Sequence, residues 1–72
     1  MTQASPEAVA VGRDLALDEM AAVSERAASY LYSAALAADR RDLLTLETHL
    51  RQTWACINAV RVTFKEIQEL SL

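Results

Sequence analysis

The sequence is poor in the residues that carry most covalent and metal chemistry, holding one cysteine, one histidine, one glycine and one proline in 72 residues. A lone cysteine, Cys56, excludes an intrachain disulfide, and beside a lone histidine, His49, it excludes the His/Cys zinc sites that small folds use as staples. One glycine is too few for a glycine-rich phosphate loop. No serine, histidine and carboxylate fall into a recognisable nucleophile motif. Apolar runs stay far below the ~20 residues that a membrane span needs. The first residues, Met-Thr-Gln-Ala-Ser-Pro-Glu, lack the basic region and apolar core of a signal peptide. A cytoplasmic protein with Cys56 reduced is the expectation. A net charge of −3 opposes general attraction to nucleic acid or to anionic membrane.

What is present points to helices. The chain is 53% hydrophobic and 24% charged, too apolar for disorder. Much of the apolar share is alanine, the best helix former, and little glycine or proline is there to interrupt it. Residues 1–72 read as one all-α domain, an antiparallel helical hairpin with helix 1 at about 6–38, a turn at about 39–42 and helix 2 at about 42–70. Ser5 is placed to cap helix 1, with Pro6 at the first helical position and Glu7 at the positive end of the helix dipole. Gly12 is the weak point, and the firm helix is expected to begin nearer Arg13. At the turn, Asp39 is placed to cap helix 2, with Asp42 three residues on in a capping-box arrangement.

Helix 1 carries an apolar stripe at Leu17, Met20, Val23, Ala27, Tyr30/Leu31, Ala34 and Ala38, with a second set (Ala22, Tyr32, Leu36) pointing elsewhere. Helix 2 carries a sustained heptad. With Leu43 as position a, the a positions are Leu43, Leu50, Ile57, Phe64 and Ser71, and the d positions are Leu46, Thr53, Val60 and Ile67. Trp54, Cys56 and Leu70 flank this seam. Two helices alone form a thin rod with a single seam, which leaves much of this apolar surface in water. A symmetric homodimer, a four-helix bundle, is therefore expected, with Leu17, Met20, Leu31, Leu43, Leu46, Leu50, Ile57, Val60, Phe64 and Ile67 as its core and dimer seam.

Candidate chemistry is sparse. His49 and Cys56 lie seven residues apart, ~10 Å along a helix, too far for a thiolate–imidazole pair. His49 reads as a polar residue at the seam's edge and Cys56 as a small buried hydrophobe. Asp14, Asp18 and Glu25 lie near one face, interrupted by Arg13 and Arg26, and read as a solvated surface. No catalytic set, cofactor or small-molecule substrate is indicated, so the chain reads as a binding protein and not an enzyme. The best partner contacts are Arg51, Trp54, Asn58, Arg61 and Lys65, which share a face of helix 2, together with Tyr32. Tryptophan, tyrosine and arginine are the residues most often decisive at interfaces. Glu47–Arg51 and Lys65–Glu69 are spaced to pair within the helix.

In its size, acidity, alanine-rich helices and lack of a catalytic motif, the whole chain resembles the small helical inhibitor proteins encoded by bacteriophages. That resemblance implies a module that binds and disables one host protein, such as a transcription regulator or a motor ATPase, in the host cytoplasm. The heptad-patterned hairpin also resembles the dimeric helical RNA-binding proteins of plasmid copy control. Their exposed basic and aromatic face is echoed by residues 51–65, and this implies nucleic acid as the alternative partner.

Overall fold

A computed structural model describes residues 5–70 as two antiparallel helices, α1 (Pro6–Asp39) and α2 (Leu43–Leu70), with no strand among the described residues. The position assigned to Ser71 lies outside them. The Ser5 hydroxyl accepts from the Ala8 amide at 3.1 Å, satisfying one of the amides left free in the first turn, and Pro6 occupies the position where a missing N–H costs nothing. Gly12 does not delay the helix, since α1 is continuous from Pro6.

The turn corrects the expected cap. Asp39 is the last residue of α1 and caps nothing. Asp42 caps α2, accepting from the Thr45 amide at 3.1 Å and the Thr45 hydroxyl at 2.7 Å. The cause is how α1 ends. Arg41 takes a left-handed conformation with φ 60°, and the amides of Arg41 and Asp42 turn back to the carbonyls of Ala38 and Ala37. This pair of bonds is the Schellman termination, and it places Asp42 as the first residue free to start the next helix. Thr45, which gives its hydroxyl and then its amide to the carboxylate, holds Asp42 below the ordinary carboxylate value.

The seam between the helices is narrow and built from small residues. On α1 it follows Ala16, Met20, Val23, Ala27, Tyr30, Ala34 and Ala37; on α2 it follows Leu46, His49, Thr53, Cys56, Val60, Thr63 and Ile67, all of them half-buried or buried. Both rows step by alternating threes and fours, the spacing of a two-helix seam. Among the described residues only Ala27, Ala34, Ala37, Thr53 and Ile67 are buried. Thr53 tolerates burial because its hydroxyl donates to the His49 carbonyl at 2.8 Å. His49 stacks on Tyr30 with ring centroids 6.5 Å apart, and its Nδ1 donates to Gln52 Oε1 at 2.9 Å.

The seam of α2 therefore differs from the heptad reading. Its d positions face α1, but the second row is His49, Cys56 and Thr63 and not the large a residues. Leu43, Leu50, Ile57 and Phe64 are 42–73% exposed. On α1, Leu17 and Leu31 are exposed in the same way, while their neighbours Ala16 and Tyr30 point inward. On α2 two apolar rows lie beside the small, polar row His49, Cys56 and Thr63, and one helix can cover only two of the three. Against the alanines of α1, the smaller pair of rows packs and the largest residues are left outside.

Candidate protein-binding face

These six residues share one side of the hairpin, while Val11, Leu15, Tyr32, Leu36, Leu44 and Val62 are exposed singly on its outer rows. In an antiparallel pair, equivalent flanks of the two seams fall on the same side of the hairpin, because both right-handed helices wind in the same sense away from their shared seam. The contact of Tyr30 with His49 fixes the sides, since both lie on the same flank of their respective seams. On the opposite flank α1 presents Leu17, Ser24, Leu31 and Ala38, and α2 presents Leu43, Leu50, Ile57 and Phe64. Seven of these eight positions are apolar. On the Tyr30–His49 side the corresponding positions are Gly12, Glu19, Arg26 and Ser33 on α1 and Thr45, Gln52, Ala59 and Glu66 on α2. The hairpin thus has one apolar and one polar broad face.

The outer edges of the apolar face are also patterned. On α1 the edge runs Glu7, Asp14, Ala21, Ala28, Ala35, small over most of its length. On α2 it runs Glu47, Trp54, Arg61, Gln68, with Trp54 63% exposed. The stripes of both helices, a with d on α2 and Leu17/Leu31 with Met20/Ala27/Ala34 on α1, point between the partner helix and the open face, ~50° off the seam. That diagonal direction is the one taken by core residues when a second pair of helices lies beneath.

The total surface agrees with this. A folded monomer of 7.9 kDa exposes about 4,400 Å² by the usual scaling, and the hairpin exposes 5870 Å². Roughly 1,500 Å² more is left in water than a self-sufficient fold of this mass leaves.

The positions expected to contact a partner divide into three places. Arg51, Asn58 and Lys65 lie on the edge of α2 furthest from α1, with Trp54 and Arg61 between them and the apolar face, and all five are exposed. Asn58, Arg61, Val62, Phe64, Lys65 and Gln68 line a shallow open groove there. Tyr32 is exposed on the far side of α1 and is not brought to this stripe. Glu47 and Arg51 form an ion pair at 2.6 Å, whereas Lys65 and Glu69 form none, so the charges of Arg61 and Lys65 face solvent.

Cys56 is a half-buried free thiol within the seam. No group of three His, Cys, Asp or Glu residues is placed to hold a metal ion among the described residues, and no described helix is long and apolar enough to cross a membrane. The chain matches no protein-family model, no curated protein and no solved structure.

Proposed function

We propose that this chain is a binding module that works as a homodimer, two hairpins closing into a four-helix bundle, and that the dimer acts as an inhibitor or adaptor of a bacterial regulatory protein or motor. The observation that carries the reading is the apolar face: Leu17, Leu31, Leu43, Leu50, Ile57 and Phe64 lie exposed on one side of a hairpin whose own seam is mostly alanine, threonine and other small residues. Large apolar side chains arranged contiguously on one face of a small helical rod are an interaction surface. The a/d heptad of α2 has a physical use only if a further helix covers the a row. With the apolar face closed, the outer edge of α2 offers Arg51, Asn58 and Lys65 to a second protein, with Arg61 at its border.

Affinity capture from bacterial lysate tests the outer reading, with wild type compared with the double variant Arg51→Glu, Lys65→Glu, both on the edge of α2 furthest from the apolar face. A stoichiometric protein retained by wild type and lost by the variant is the expected result. Recovery of no stoichiometric protein by wild type counts against an inhibitor or adaptor role.

The same exposed basic residues favour a second reading, RNA binding by the dimer. Mobility shifts with structured RNA and duplex DNA at low salt test it, since phosphate contacts are strongest there. No shift under those conditions eliminates it.

A further inference from the structure

We infer that the apolar face receives a second copy of the chain turned so that both inter-helix turns lie at the same end, with Trp54 of each copy packed on Ala28, in the small-residue edge of the other's α1. The inference rests on the dimeric reading above and specifies its geometry.

Area is the first argument. The hairpin measures 56 × 16 × 16 Å, so one broad face offers roughly 900 Å² and a face-to-face pair buries about 1,800 Å², the size of an ordinary stable interface. Each copy thereby covers about 900 Å² of its roughly 1,500 Å² surplus of surface, a little over half.

Shape is the second. Residues equidistant from the turn are level with one another. Leu17 is level with Phe64, Ser24 with Ile57, Leu31 with Leu50 and Ala38 with Leu43. A twofold axis along the rod lays α1 of one copy over α2 of the other at these same levels. The two smallest positions of the face, Ser24 and Ala38, then meet Ile57 and Leu43 of the partner copy, and Ala28 meets its Trp54. Large residues opposite small ones fill a core without voids. Every neighbouring pair of helices is also antiparallel, as in simple four-helix bundles.

Charge decides between the two possible orientations. Within Pro6–Asp39, α1 carries six carboxylates and two arginines, while α2 carries three of each sign. With the turns at the same end, each acidic α1 lies beside the partner's α2, and Arg61 falls within about one turn of Asp18 of the partner copy. With the turns at opposite ends, α1 lies on α1, and carboxylate-rich edges face each other, an arrangement that costs affinity.

Paired spin labels at Asp39→Cys, in a Cys56→Ala background, read the orientation directly. Asp39 is exposed at the turn end of α1. Labels about 30 Å apart are expected, from helix spacings of 8–10 Å across a bundle diagonal plus the label arms. A distance of about 50 Å, nearly the length of α1, overturns the inference but leaves a dimer standing. A monomeric mass on the same sample overturns the dimer itself. A charge exchange provides a second measurement with Cys56 intact. Arg61→Asp weakens the dimer several-fold and added Asp18→Arg restores it to within about threefold of wild type; no restoration contradicts the proposed contact.

Discussion

Removing Trp54 isolates the energy of the apolar face from that of the hairpin. An exposed tryptophan side chain presents up to ~250 Å². In the lone hairpin Trp54 keeps 63% of its surface in water, so ~160 Å² is left for a partner to cover. At about 25 cal/mol per Å², covering half of it contributes ~2 kcal/mol per copy, or ~4 kcal/mol for a symmetric pair. Trp54→Ala is therefore expected to weaken the dimer about a thousandfold. The helices themselves lose little, because Trp54 points away from the seam and alanine is the better helix former. Sedimentation equilibrium over a range of concentrations gives the dissociation constant, and far-UV circular dichroism at the highest concentration verifies the fold. A dissociation constant within threefold of wild type would refute the placement of Trp54 in an interface. Loss of helicity at concentrations where the variant is still dimeric would show that Trp54 supports the hairpin itself.

Three further outcomes follow from local geometry. Gly12→Ala stabilises the fold by about 0.5–1 kcal/mol in thermal or urea unfolding, since a Cβ at Gly12 meets nothing within 4 Å and α1 runs straight through the position; a destabilised variant would reveal an unseen neighbour. Arg41→Gly raises stability by up to about 1 kcal/mol by relieving a left-handed arginine, offset in part by loss of its side-chain hydrogen bond to the Ala38 carbonyl at 3.0 Å; a clear loss would show that this bond outweighs the strain. The Asp42 cap is ionised more readily when folded than when unfolded, so its electrostatic contribution is fully present above the ordinary carboxylate value and is lost as pH falls through its lowered folded value. The difference in melting temperature between wild type and Asp42→Asn should accordingly shrink between about pH 7 and about pH 2.5, and a constant difference would contradict the assignment of the cap.

The two helices were legible because nothing interrupts them: Ser5-Pro6-Glu7 marks one start, and one glycine and one proline leave no other break. The sequence points to a cap one turn too early, because a left-handed arginine is rare and nothing in Asp39-Arg40-Arg41-Asp42 announces that Arg41 ends α1 in the conformation usually reserved for glycine. Only half of the heptad of α2 meets α1. Leu46, Thr53, Val60 and Ile67 face α1, but the most apolar row, Leu43 to Phe64, does not. A heptad tells which residues avoid water without telling which neighbour hides them. The small and polar row His49, Cys56, Thr63 was the available signal, since side chains of that size suit the close approach that α1's alanines permit. The spacing of Arg51, Asn58, Arg61 and Lys65 makes one exposed stripe legible, whereas only residue type links Tyr32 to them, and it lies across the molecule. The sequence carries no motif naming what meets that stripe.

Light scattering after size exclusion, on wild type at micromolar concentration, tests the central claim most directly. A mass twice the chain's 7.9 kDa is the predicted result, as closure of the apolar face by a second hairpin requires. A stable, helical species of a single chain's mass would contradict it, and would leave the row from Leu43 to Phe64, with Trp54 beside it, open to a different protein.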